Sequence, residues 1–95
     1  MTWGVEYHPS VAEDLDALGT VATRRALIAI DERIHRGQPN QSGKPLRGDL
    51  AGCRRIRIGD HRIVYEIDPR RRRVIILAIG PRRDEEVYRS AEARR

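Results

Sequence analysis

Five side chains in the second half of the chain combine charge or proton-transfer capability with spacings that let them act together: Arg55, Arg57, Arg62, Arg82 and Tyr88. The run Cys53–Ile67 reads with period two as a pair of strands joined by a turn at Gly59-Asp60. Side chains alternate across a strand, so Arg55 and Arg57 share one face and Ile56 and Ile58 the other. Arg62 opens the return strand beside them. Arg82 comes just after Gly80-Pro81, and Tyr88 lies six residues further on. An adjacent strand end can bring both to the polar face of the hairpin. Like charges gathered on one sheet face repel unless an anion joins them. Guanidinium groups keep their charge and offer a planar fork to phosphate oxygens. The expected ligand is a chain of phosphates.

The other chemical candidates are weaker. His8, His35 and His61 show no metal-ligand spacing with Cys53, so neither a metal nor another cofactor is expected. Cys53 is the one cysteine and reads as a buried apolar residue. His61 sits in or beside the hairpin turn, as a solvated residue or an auxiliary contact at the cluster's edge. Arg70–Arg73 follow Asp68-Pro69 and therefore lie at the far end of the strand that returns from Arg62. They read as a solvated turn or a secondary backbone contact.

Positioning these groups takes a small set of elements. Trp3, Val5 and Tyr7 alternate on one side of a first strand. Ser10 and Glu13 have the spacing of a capping box. Val11, Leu15 and Leu18 then form an amphipathic stripe. Gly19 ends that helix and Thr20 can cap the next, whose stripe is Leu27, Ile30 and Ile34. The two should form an antiparallel hairpin. Residues 37–45 read as a loop. After the strands of the hairpin, Val74–Ile79 lacks alternation and reads as a central strand buried on both faces. The charged tail from Arg82 ends as a short helix or frays. The expectation is an α+β domain over residues 1–95, ordered β-α-α-β-β-β plus tail. Its small antiparallel sheet carries the helical hairpin on one face and leaves the arginine face open.

The chain has 95 residues, 39% of them hydrophobic and 35% charged, which suits one soluble folded domain. No run approaches the roughly 18 apolar residues of a membrane span. No secretory signal is visible, and the single cysteine suggests a cytoplasmic setting. The net charge is +5, and of 19 basic residues only Lys44 is a lysine. Anionic partners follow: nucleic acid, or an acidic protein. Aromatic residues make up only 4%, too few for a base-stacking platform of the kind that single-strand binders use.

The run Lys44–Tyr65, the ending Ile79–Tyr88 and the opening Tyr7–Leu18 resemble the RelE/ParE superfamily of bacterial toxins. The likeness covers nearly the whole chain. A late arginine followed by Glu-Val-Tyr resembles the RelE branch in particular. That resemblance implies a toxin that enters the ribosomal A site and cuts messenger RNA there. It implies catalytic roles for Arg55, Arg57, Arg62, Arg82 and Tyr88, with weaker RNA contacts from Lys44, Arg47, Arg54, His61 and Arg83. It further implies an acidic, RelB-like antitoxin, with promoter DNA met only through the antitoxin complex. Well-known RelE members carry lysines where this chain has Arg55 and Arg57. An arginine with pKa above about 12 does not serve as a general base. Tyr88 or a ribosomal group is the expected base. The alternative within the superfamily is a ParE-like inhibitor that binds DNA gyrase without catalysis.

Overall fold

The structure, a computed structural model, describes residues 2–95, the side chain of Asp84 excepted. Strand β1 (Gly4–Tyr7) leads into helices α1 (Val11–Leu18) and α2 (Thr20–Ala29), and α2 continues as a π-helical turn, Ile30–His35. A two-residue strand, β2 (Lys44–Pro45), and a 3-10 turn (Gly48–Leu50) precede β3 (Cys53–Ile58), β4 (His61–Asp68) and β5 (Arg73–Pro81). A second 3-10 turn, Arg83–Glu85, opens helix α3 (Glu86–Arg94).

The five strands form one sheet in the order β1-β5-β4-β3-β2. The expected α+β fold is present, with two refinements. β2 adds an edge to the hairpin, and β1 runs parallel to β5 while every other pairing is antiparallel. The helices together with β2, β3 and β4 make up the long crossover between this parallel pair.

Both faces of the sheet carry apolar residues. Ile56, Ile63, Tyr65, Val74, Ile76 and Ile79 pack beneath α1 and α2 with Val11, Ala26, Ile30 and Ile34. On the opposite face, Val64, Leu77 and Ala78 pack with Leu50, Cys53, Val87 and Ala91. That second cluster corrects the expectation of an open face. α3 is a full helix, and it covers part of the surface that was expected bare. The cause is visible in β5: a strand without alternation has apolar residues on both sides, and both need cover. The end of the sheet toward Arg57 and Arg62 lies outside the cluster that α3 packs on.

Three local expectations fail for identifiable reasons. Ser10 makes no side-chain cap; it has helical dihedrals, whereas a capping hydroxyl needs an extended residue. Its N–H instead donates to His8 Nδ1 at 3.1 Å. The buried stripe of α2 and its π-helical extension is Ala26, Ile30 and Ile34, spaced i, i+4, i+8, and this row leaves Leu27 exposed on the neighbouring side. Tyr7, expected beside Trp3, is 44% exposed at the end of β1.

β1 stops opposite Ile76, whereas β5 continues to Pro81. Side chains take over the bare edge of β5. Asp14 Oδ2 accepts the Ile79 N–H at 3.0 Å, and Arg94 Nη1 donates to the Leu77 carbonyl at 2.9 Å. The two side chains bond each other at 2.6 and 3.0 Å and are both largely buried. Buried backbone groups need partners, and this clasp provides them while tying α3 to α1. Asp14→Ala would leave the buried Arg94 guanidinium without its carboxylate and the Ile79 amide without its acceptor. A loss of about 3–5 kcal/mol is expected in urea unfolding. Asp14→Ala/Arg94→Ala should cost less than the two single changes summed; a loss below about 0.5 kcal/mol would place the pair among weak surface bridges.

Candidate functional site

Four elements converge at the uncovered end of the sheet. β3 presents Arg55 and Arg57 on the face that also bears Cys53. Arg62 of β4 stands directly opposite Arg57, and Val64 opposite Arg55. The Cys53 carbonyl accepts from Leu46 on the β2 side, so the peptide groups of Arg55 and Arg57 point to that side too. Arg57 and Arg62 therefore form a non-hydrogen-bonded pair, the kind with the closer side chains. The Arg82 N–H donates to the Asp60 carbonyl at 2.9 Å, which pins Arg82 against the β3–β4 turn. α3 brings Tyr88, half-buried, from above, with Val87 seated over Gly80.

Together Arg55, Arg57, Arg62, Arg82, Glu85 and Tyr88 line one cleft of about 300 Å³. Arg62 is only 6% exposed, and its Nη1 donates to the His61 carbonyl at 3.1 Å. Among the described residues the ion pairs lie elsewhere: Arg36 with Asp31, Arg71 and Arg73 with Asp68, Arg73 with Glu6, Arg94 with Asp14 and Arg95 with Glu66. Four guanidinium groups, one carboxylate and one phenol thus line a single cleft.

The remaining sequence candidates are distributed differently. Lys44 lies across from Arg55 at the sheet edge. Arg54 is on the other face, where Nε donates to the Ser42 carbonyl at 2.7 Å and Nη2 to that of Gly43 at 3.2 Å. Its position is a structural one, since the strand period that turns Arg55 outward turns Arg54 inward. His61 lines spaces beside α1 and α2, outside the arginine cleft. Arg47 and Arg83 are exposed and line none of the described clefts. Of the arginine run, Arg72 stacks on Trp3 at 4.6 Å and Arg73 bonds Glu6 at 2.6 Å, so both serve the fold. Burial pushes the Cys53 thiol up, against the weaker pull of Arg95. It remains a thiol in the second core. Among the described residues no group of three His, Cys, Asp or Glu could hold a metal ion.

Two members of the site were missed in the sequence. Glu85 lines the cleft and has φ of +55°, a left-handed backbone that is rare outside glycine. No sequence signal marks that turn. Arg33 reaches the neighbouring edge of the sheet from the π-helical turn. A larger cavity, about 860 Å³, lies elsewhere, between α1 and α2 around Leu15, Thr23, Leu27 and Ile28. It has no comparable convergence of like charge.

Comparison with known proteins agrees with this architecture. A family model described as ParE toxin of type II toxin-antitoxin system, parDE, matches residues 5–86. Toxin RelE of Mycobacterium tuberculosis is 50% identical over 44 residues, covering 46% of this chain and 45% of that protein. Toxin RelG of the same organism is 42% identical over 52 residues, 55% of this chain and 58% of that protein. The matched segments thus span about half the length of these relatives. The RelBE2 toxin-antitoxin complex of M. tuberculosis contains a chain with TM-score 0.74 and 30% identity, covering 86% of this chain and 100% of that one. A free E. coli RelE variant gives a TM-score of 0.71 at 21% identity, covering 99% and 98%, and supports the fold. The toxin of an archaeal RelE–RelB complex from Pyrococcus horikoshii gives 0.68 at 28% identity, covering 88% and 99%. This chain belongs to the ParE toxin family of type II toxin–antitoxin systems, within the RelE/ParE superfamily.

Proposed function

We propose that the protein is a ribosome-dependent endoribonuclease that cuts messenger RNA in the A site. The observation that carries this reading is the convergence of Arg55, Arg57, Arg62, Arg82 and Tyr88 on one cleft. In the proposed reaction the ribose 2′-oxygen attacks the adjacent phosphorus while the bond to the 5′-oxygen breaks. The products are a 2′,3′-cyclic phosphate and a 5′-hydroxyl. Negative charge builds on the phosphoryl oxygens, and preorganised donors there stabilise the transition state, each contributing about 10²–10³ in rate by analogy with oxyanion holes. Arg55, Arg57 and Arg62 take that role. Arg82 stabilises the charge on the leaving 5′-oxygen, which takes a proton from water to become the 5′-hydroxyl. The 2′-hydroxyl proton passes to a base. Arg55 and Arg57 are excluded from that task by their basicity. Tyr88 and Glu85 are the side chains at the cleft that can receive it.

Dependence on the ribosome has a physical motive. The cleft is small and offers one aromatic ring, too little to hold a flexible strand with its 2′-oxygen in line. The ribosome would supply that alignment. An acidic antitoxin would restrain the toxin by covering the arginine cleft or by displacing α3 with Tyr88. Such antitoxins, named RelB, accompany the toxins of the M. tuberculosis and P. horikoshii complexes.

A second reading rests on the family match to ParE toxins. In that case the surface would block DNA gyrase by binding alone, and Tyr88→Phe would retain full toxicity.

In-vitro translation with purified ribosomes separates the two. Cuts confined to A-site codons are expected. Arg62→Ala, Arg82→Ala and Tyr88→Phe should each slow cleavage about 10²-fold or more, by the oxyanion analogy, and leave the melting curve near that of the unaltered protein. Intact messenger with blocked gyrase supercoiling would replace this proposal by the second. A binding test is independent of turnover. Arg57→Thr relieves the repulsion from Arg62 and should stabilise the protein by about 0.5 kcal/mol at low salt. Inorganic phosphate should raise the melting temperature of the unaltered protein through linkage, and raise that of Arg57→Thr less. Equal responses would mean that the cleft does not bind phosphate.

A further inference from the structure

We propose a second phosphate subsite at the outer edge of β3, which takes the RNA phosphodiester adjoining the one in the arginine cleft. The inference rests on the cleavage reading and extends its binding surface. A separate cleft of about 370 Å³ is lined by Arg33, Gly43, Lys44, Arg55 and Arg57. No carboxylate is among those residues. Arg55 and Arg57 belong to both clefts, so a strand leaving one enters the other. Their Cα atoms are about 6.6 Å apart along the strand, a step comparable to one nucleotide of an extended RNA chain.

The walls of this cleft are built before any ligand arrives. The Tyr65 hydroxyl lies 2.8 Å from the Pro39 carbonyl and 3.1 Å from that of Ser42. Arg54 holds the Ser42 and Gly43 carbonyls from the same side. Gly43, with φ of +66°, lies so close to β3 that a Cβ would sit 2.0 Å from the Arg55 carbonyl oxygen. These contacts fix Lys44 opposite Arg55. The Ser42 hydroxyl donates to the Arg33 carbonyl at 3.3 Å, which sets the π-helical turn against the same loop. The β2 ladder ends at Arg55, and the Arg57 amide points past that end toward the cleft. Two further cations and a backbone donor are thus placed along the path of the strand, a pattern suited to phosphate oxygens.

Binding of an uncleavable 2′-O-methyl oligoribonucleotide, followed by fluorescence anisotropy through a salt series, tests the subsite. Arg33→Ala/Lys44→Ala should reduce the slope of log affinity against log salt by about 0.7, the single-strand value for one phosphate contact. With messenger-programmed ribosomes, the same change should raise KM more than it lowers kcat. Arg33→Lys/Lys44→Arg, which keeps both charges, should restore most of the slope. The subsite is overturned by an unchanged slope or by an unaltered protein that does not bind the oligonucleotide. It is equally overturned if the affinity loss is confined to ribosomes without messenger or to an acidic antitoxin peptide. If the slope falls as expected while the unaltered protein leaves messenger intact on the ribosome, the cleavage proposal fails and the subsite stands.

Discussion

Arg57 and Arg62 face each other across neighbouring strands, at the spacing where two positive side chains repel most. The arrangement has one carboxylate, Glu85, on the same cleft, but among the described residues no ion pair joins it to either arginine. The arrangement persists because the same strands bury Ile56 and Ile63 on their other side, and a slip of one residue would expose that entire apolar row. Hydrophobic register thus holds the guanidinium groups together against their own field. Preorganisation of this kind places the electrostatic cost in the folded protein, so that little rearrangement is needed when charge develops on a bound phosphate.

The second dependence is on α3. The helix brings Tyr88 to the cleft and is itself held by two apolar residues, Val87 and Ala91, and by Arg94. Arg94 reaches around the end of β5 to Asp14, so the cleft side of the sheet is mechanically tied to α1 on the other side. A polar clasp with few apolar contacts is easier to open than a packed core. The element that completes the site thus depends on this one polar clasp together with a small apolar contact.

The sequence made much of this legible, and the reasons are physical. Period-two alternation around a Gly-Asp turn placed Arg55, Arg57 and Arg62 on one face, because strand geometry leaves no other outcome. Arg82 followed from the end of a strand that had to be central. The absence of alternation in β5 also implied cover on both faces, and α3 should have been inferred from it. Glu85 was out of reach: its place depends on a left-handed turn at a residue without glycine's freedom. Arg33 was hidden because a π-helical turn shifts which side of the helix meets the sheet. Arg54 and Arg55 are adjacent and chemically identical, yet one braces a loop and the other faces the cleft. Charge counting cannot separate them; parity along the strand does.

The parallel pairing of β1 with β5 joins residues about 70 positions apart. Strand β5 is also the neighbour of β4, so β1 has no link to the other strands until residues 73–81 are available. During biosynthesis the chain leaves the ribosome from its N-terminus, and the groups contributed by Arg82 and Tyr88 are made last. Long-range pairing of this kind forms slowly compared with local contacts. The cleft of this fold is therefore complete only after β5 and α3 have joined strands made much earlier.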